Sequence, residues 1–392
     1  MPVSIGVPRE TFPGERRVAI TPRHCEVLRK SGIEVVVEHS AGNEAGFTDE
    51  AYLGRGVRLA SRAELFHEAE VIVQVRCLGA NPKAGLADLS LSHSGQALVG
   101  FGEPLTALKE CSDLAEAGLS FFALELMPRI TRAQSMDALS SMATIAGYRA
   151  VLLGASHLPK MFPMLMTAAG TVTPAKVFVL GAGVAGLQAI ATARRMGAVV
   201  SAYDVRPAVK EQVESVGAKF VSLDVDSQAS QDQGGYAKAM DEAFYRRQRE
   251  LMTDVLREQD VVITTAAVPG RKAPILITAA MVSAMASGSV IVDIAAERGG
   301  NCELTRPGED VAHNGVLVLG PLNVPSMVPY HASQMLASNI AAFLKLLVAN
   351  GSFAVNRNDE IIRETLVTHE GRVAHARIAE LMNSQSQNTV DA

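Results

Sequence analysis

The sequence has little that would tie it to metal, disulfide, nucleic-acid or membrane-spanning chemistry. Its four cysteines, Cys25, Cys77, Cys111 and Cys302, are scattered with no C-x-x-C pair, and its nine histidines show no H-E-x-x-H or comparable ligand spacing. Neither a structural metal nor a disulfide framework is expected. The formal charge of −5 and a pI near 6.0 lack the basic excess of a nucleic-acid domain, so nucleic acid is not an expected partner. The N-terminus, Met1-Pro2-Val3-Ser4-Ile5-Gly6, is without the basic-then-apolar layout of a signal peptide, which points to a reducing cytoplasm. The most apolar stretches, Val151 to Gly170 and Leu336 to Gly351, are broken by Pro159, Lys160 and Pro163 and by Asn339 and Lys345. Neither is the run of about 20 apolar residues that a spanning helix needs. No span is expected, although a membrane surface stays available for docking.

What is present is the pattern of an α/β protein. At 392 residues, 48% hydrophobic and 20% charged, the chain reads as globular and as two domains rather than one. Short β-branched runs at Val3 to Val7, Ile33 to Glu38, Val71 to Val75, Ala97 to Phe101 and Leu119 to Leu124 are apolar on both faces. They are separated by helical stretches, as in a buried parallel sheet. A second series covers Lys176 to Leu180, Val199 to Tyr203, Lys219 to Leu223, Asp260 to Thr265, Ser289 to Ile294 and Val316 to Leu319. The predicted fold is two Rossmann-like doubly wound parallel-sheet domains. Met127 to Ala150 reads as a loop and an interdomain helix, and a helix from about His331 to Ala349 returns to the first domain. That domain is then discontinuous, 1–139 with 325–392, around a nucleotide-binding domain at 140–324.

The strongest motif is Gly181-Ala182-Gly183-Val184-Ala185-Gly186, directly after the strand Lys176 to Leu180 and opening the helical run Leu187 to Met196. Such a turn places helix amides against a pyrophosphate, with glycines for the tight turn, for ligand approach and for helix packing. Asp204 ends the next strand, where a carboxylate bonds the adenine ribose 2′-hydroxyl and repels a 2′-phosphate. NAD(H) is therefore expected rather than NADP(H), with Val205 and Arg206 beside it. Arg206 leaves the second nucleotide open, since a nearby arginine can accommodate that phosphate. Thr265 and Ala266, and the run from Asp293 to Glu297, follow later strands and either suit a nicotinamide ring lying against backbone or simply pack the strand ends closely.

Other groups carry two readings. Arg129, Gln134, Asp137 and Ser140 form a polar cluster before the interdomain helix, either a capped helix start or a set that reaches the nicotinamide carboxamide. Asp224 to Ala237 is polar, either a solvated loop or a lid with Gly234-Gly235 as hinge and Tyr236 as the closing side chain. Arg9, Arg17, Arg76 and Glu103 lie near strand ends of the first domain.

The runs Gly6 to Glu10, Glu15 to Pro22, Gly181 to Gly186 and Asp293 to Asn301 resemble the alanine dehydrogenase and pyridine nucleotide transhydrogenase superfamily along essentially the whole chain. Within it, Pro128 to Ser141, Gly234 to Ala237 and Ala295 to Asn301 are similar to the NAD(H)-binding component of proton-translocating transhydrogenase. The resemblance implies that Arg129, Gln134, Asp137 and Ser140 contact the nicotinamide end and the partner component, and that Gly235 and Tyr236 close over the nucleotide. It implies hydride transfer to NADP(H) on a partner subunit, and a membrane-spanning proton-channel subunit. It also implies a homodimer docked at the cytoplasmic face of a bacterial inner membrane. The alternative branch, a soluble amino-acid dehydrogenase, needs a proton-transfer histidine and an aspartate. By alignment these positions hold Glu103 and Glu297, the substrate lysine becomes Arg76, and Arg17 alone survives. A non-catalytic NAD-responsive module is the third possibility.

Overall fold

The computed structural model describes residues 2–222, 242–267, 270–349 and 351–390. The chain divides into two compact units, Met1–Met142 with Ser326–Ala392, and Ala143–Pro325. Unit 1 begins with Val3–Val7 (β1), Ile33–Glu38 (β2), Arg58–Ala60 (β3), Val71–Arg76 (β4), Ala97–Phe101 (β5) and Ser120–Ala123 (β6). A 3₁₀ segment, Thr131–Met136, leads into the helix Ala138–His157 (α1).

Unit 2 continues with an exposed hairpin, Leu165–Thr167 (β7) and Gly170–Val172 (β8), then Lys176–Leu180 (β9), the helix Val184–Arg195 (α2) and Val199–Tyr203 (β10). Lys219–Phe220 (β11), Val261–Thr264 (β12), Val290–Asp293 (β13), Asp310–His313 (β14) and Val316–Leu319 (β15) complete it. The chain returns to unit 1 through Pro329–Leu344 (α3), a small hairpin of Val348–Ala349 (β16) and Ser352–Phe353 (β17), and then Leu366–His369 (β18) and Arg372–Val373 (β19).

The eight-stranded sheet of unit 1 runs β19-β18-β6-β5-β4-β1-β2-β3, and the seven-stranded sheet of unit 2 runs β11-β10-β9-β12-β13-β15-β14. Neighbours are parallel except at β18, β19 and β14, which pair antiparallel. In each sheet the strand order reverses beside the first strand, between β1 and β4 and between β9 and β12. The reason is visible in β9, where Val177, Phe178, Val179 and Leu180 are all buried. Alternation sends Val177 and Val179 toward Ile190 and Ala193 on one face, and Phe178 and Leu180 toward Met252, Leu256 and Met281 on the other.

Several sequence expectations need correction. The short strands β3 and β14 and the hairpin β7–β8 carry too few apolar residues to stand out as core strands. The strand expected at Lys219 to Leu223 ends at Phe220. Helix α2 begins at Val184 rather than Leu187, inside the glycine motif. Ala138–His157 is long and apolar enough to cross a membrane, with a mean hydropathy of 1.2, which the apolar runs of the sequence did not reveal. Part of it packs inside unit 2, where Ala150 and Val151 are fully buried in the core. A Cβ at Gly147 would lie 2.0 Å from the Ala185 carbonyl oxygen, and one at Gly154 would lie 2.8 Å from Val261. Glycine at 147 thus lets α1 press against the first turn of α2. The segment Asp224 to Ala237, with Gly235 and Tyr236, lies outside the described residues.

Candidate functional site

The reversal between β9 and β12 opens a crevice at the carboxyl ends of the strands, where open α/β sheets bind ligands. Three glycines build its floor, each for a different reason. Gly181 has φ +101°, and a Cβ there would meet Thr265 Oγ1 at 2.6 Å; the Thr265 hydroxyl donates to the Gly181 carbonyl at 3.0 Å. Gly186 permits the helix to lie on the turn, since a Cβ would sit 1.9 Å from Gly181 O.

Gly183 differs from both. Its φ of −75° suits any residue, and among the described residues nothing lies within 4 Å of where its Cβ would be. Nothing among the described residues requires glycine at 183, so the space beside it is the property that glycine preserves. It adjoins the first turn of α2, whose leading amides have no intrahelical partner and whose dipole favours an anion. Val184, at the start of that turn, is exposed.

Asp204 follows β10 and is buried. Its Oδ2 accepts the Ala182 amide at 2.7 Å, which ties the acid to the glycine turn. Arg206 donates to Oδ1 through its amide and Nε, both at 2.9 Å, and to Oδ2 through Nη2 at 2.8 Å. Val205, between them, is half-buried.

Across the crevice, Thr265 donates its amide to Leu180 O at 2.9 Å. Ala266 is held by Asn301, which accepts the Ala266 amide at 3.0 Å and donates Nδ2 to the carbonyls of Ala266 at 2.8 Å and Pro274 at 3.0 Å. Asn301 is in turn fixed by fully buried Asp293, which accepts the amides of Ala295, Asn301 and Cys302 and the hydroxyls of Thr264 and Thr305 at 2.6–3.0 Å. Sequence reasoning gave Asn301 no role. Its signal was a polar residue directly after two left-handed glycines, Gly299 (φ +93°) and Gly300 (φ +81°), behind a buried strand.

In unit 1 the polar cluster is a well-anchored loop. Asp137 caps α1, accepting the Ser140 amide at 2.9 Å and the Ser140 hydroxyl at 2.5 Å. Arg132 makes a two-pronged pair with Asp359 at 2.7 and 2.8 Å, and Asn339 donates to Ser135 O at 2.9 Å. Arg129 and Gln134 are exposed on this frame, and Asp137 and Ser140 are half-buried.

Of the other candidates of unit 1, Arg9 follows β1 and Arg76 ends β4, while Glu103 follows β5. Buried Arg17 donates Nε and Nη2 to buried Glu15 at 2.7 and 2.6 Å. Arg76 approaches Glu15 at 3.4 Å and lies over the Phe12 ring, 4.2 Å from its centroid. Glu10 accepts the amides of Val75 at 2.6 Å and Arg76 at 3.2 Å. Desolvation, with the neighbouring Glu15 charge, pushes its carboxyl up to about 8. A cavity of about 300 Å³ remains, lined by Arg9, Glu10, Glu15, Arg16, Arg17 and Ser40 among others. Arg17 reaches it; Arg76 and Glu103 are not among its lining residues. Glu103 sits at φ +50° with its amide bonded to Glu125, whose carboxyl burial raises to about 7. Among the described residues no group of three or more His, Cys, Asp or Glu is placed to hold a metal ion.

Comparison with known proteins bears on both units. The family model for the alanine dehydrogenase/PNT N-terminal domain matches residues 6–146, and that for the C-terminal domain matches 150–376. An NAD(P) transhydrogenase subunit alpha protein of Rhodospirillum rubrum is 45% identical over 377 residues, 95% of this chain and 98% of that protein. The crystal structure of transhydrogenase from Sinorhizobium meliloti matches with a TM-score of 0.84 at 44% identity, covering 94% of this chain and 99% of that one. A solved L-alanine dehydrogenase matches with a TM-score of 0.80 at 27% identity, covering 97% and 99%.

Proposed function

The chain belongs to the alanine dehydrogenase/PNT family, and from that premise we propose that it is the NAD(H)-binding subunit of a proton-translocating transhydrogenase. The observation that carries the reading is the open space at Gly183, beside the α2 amides and the Asp204 carboxylate. The turn from Gly181 to Gly186, with Asp204 and Val205, holds the adenosine and pyrophosphate, and Arg206 lies against Asp204. Thr265 and Ala266 flank the other half, and Arg129, Gln134, Asp137 and Ser140 position the nicotinamide end. When bound, the nucleotide supplies a hydride, exchanged directly with NADP(H) on a partner subunit. The chain's own work is to bind, orient and exclude water.

This reading is supported against an amino-acid dehydrogenase by the carboxylates of Glu103 and Glu297 at the aligned positions of that branch's histidine and aspartate. Direct transfer asks for no proton relay at the reacting carbon. A membrane-spanning proton-channel subunit completes the complex, and this chain is a homodimer docked at the cytoplasmic face of a bacterial inner membrane.

The test mixes the purified chain with an NADP-binding transhydrogenase component and follows reduction of an NADP analogue by NADH. Hydride transfer is expected. Its absence, or turnover of an amino acid with NAD⁺ by the chain alone, overturns the proposal.

A further inference from the structure

Asp204 carries a burden that its proposed role does not explain. An ionised carboxylate offers about four acceptor sites on its two oxygens, and four donors already occupy them: the Ala182 amide and the amide, Nε and Nη2 of Arg206. The pair is well shielded, with side-chain exposures of 5% for Asp204 and 12% for Arg206. A ribose diol that bonds this acid therefore has to displace donors.

Two of the four cannot leave. The Ala182 amide belongs to a turn pinned by Gly181 N donating to Tyr203 O at 2.8 Å. The Arg206 amide precedes the 3₁₀ segment Pro207–Val209, whose first residue is a proline of fixed φ. The guanidinium fork, on its flexible stem, is the only movable pair.

We propose that Arg206 is a displaceable latch on Asp204, a positioning residue whose fork occupies the acid in the ligand-free chain and yields to the ribose 2′- and 3′-hydroxyls. The inference rests on the nucleotide reading and deepens it. Arg206 then works against the role suggested by its sequence position. Its charge is spent on Asp204, so a 2′-phosphate finds a closed ion pair rather than a waiting cation. Every NADH that binds must first break two charge-assisted bonds, which sets affinity below what the crevice would otherwise give.

The test uses the full chain with NADH and NADPH as probes. Arg206→Leu removes the fork and keeps most of the stem. It is expected to tighten NADH about tenfold, or about 1.4 kcal/mol, and to leave NADPH no tighter. In an Asp204→Asn background the same substitution should change NADH affinity little, because no carboxylate remains to compete for. Titration with NADH should also move the Arg206 Nε–H resonance from a paired to a solvent-exchanging position. A folded Arg206→Leu variant that binds NADH equally or more weakly overturns the latch, as does an Nε–H signal unmoved at saturation. If the unmodified chain binds NADH no more tightly than its Gly183→Asn variant does, the nucleotide reading fails and the latch with it.

Discussion

The two sheets share a strand order and use its reversal in opposite ways. β1 lies between β2 and β4 as β9 lies between β10 and β12, so each unit has a crevice at the same topological place. In unit 2 it is made of glycine and helix amides. In unit 1 it is lined by the chain's own charges around a cavity of about 300 Å³: Glu10 takes the Val75 and Arg76 amides, and Glu15 closes on Arg17. Even the acids at the ends of the second strands differ. Glu38 is held by the Arg9 amide and by Arg62, which is also clamped by Asp88 in a network across helices, whereas Asp204 is held by an arginine two residues away. Topology decides where a crevice falls, and side-chain chemistry decides what it can hold.

The largest effect on binding should come from filling the open crevice. Asparagine at 183 can still cap α2, so Gly183→Asn is expected to leave unfolding within about 0.5 kcal/mol of the parent. Its side chain occupies the space beside the helix amides, and NADH affinity should fall about a hundredfold. Fluorescence titration paired with urea unfolding reads both. Gly186→Ala supplies the contrast, because a methyl group 1.9 Å from Gly181 O must displace backbone and so should lose stability and binding together. Normal NADH affinity in Gly183→Asn would mean that the phosphates do not sit beside the α2 amides.

The converse experiment breaks the charged lining of unit 1's crevice. Arg17→Leu strips a buried carboxylate of its bidentate partner, and a loss of about 3 kcal/mol in urea unfolding is expected, at the low end for a buried pair because Arg76 also approaches Glu15. NADH affinity should not change. A cost below about 1 kcal/mol, the scale of a solvated surface pair, would show that the cluster is exchangeable and that unit 1's crevice is a site in waiting.

The contrast also marks what was legible in the sequence. Strands such as β1, β9 and β15 could be read because burial on both faces leaves continuous apolar runs. The edge strands β3 and β14 could not, since their residues are partly solvent-facing and their pairing is a tertiary fact. The glycine turn was legible as a motif, but which glycine serves the ligand and which serve packing was not. That depends on what lies within 4 Å of an absent Cβ. Asp204 and Arg206 were both legible as candidates, yet their mutual bonding reverses the meaning of the arginine. The role of Asn301 was hidden because its partners, the Ala266 backbone and Pro274 carbonyl, are tens of residues away in sequence.

The smallest expected effect concerns an acid that lines unit 1's crevice. Glu10 has an ordinary carboxyl value of 4.5 when unfolded and is raised to about 8 in the folded chain, chiefly by desolvation and then by Glu15. Between those values the unfolded state has released its proton and the folded state has not, so stability falls as pH rises through the window and levels off above it. Glu10→Gln holds the group neutral and still offers one oxygen to the Val75 amide, at the cost of the longer bond to Arg76. Urea midpoints from pH 5 to 9 should therefore fall less steeply in the variant, the two curves closing by about 1 kcal/mol between pH 6 and 8 once solvent screening is allowed for. Parallel curves would mean that the two amides outweigh burial and keep Glu10 ionised. Glu10 would then be an anion seated on backbone donors, which is the arrangement proposed for a phosphate at α2, and the two crevices would differ in whether the anion is the chain's own.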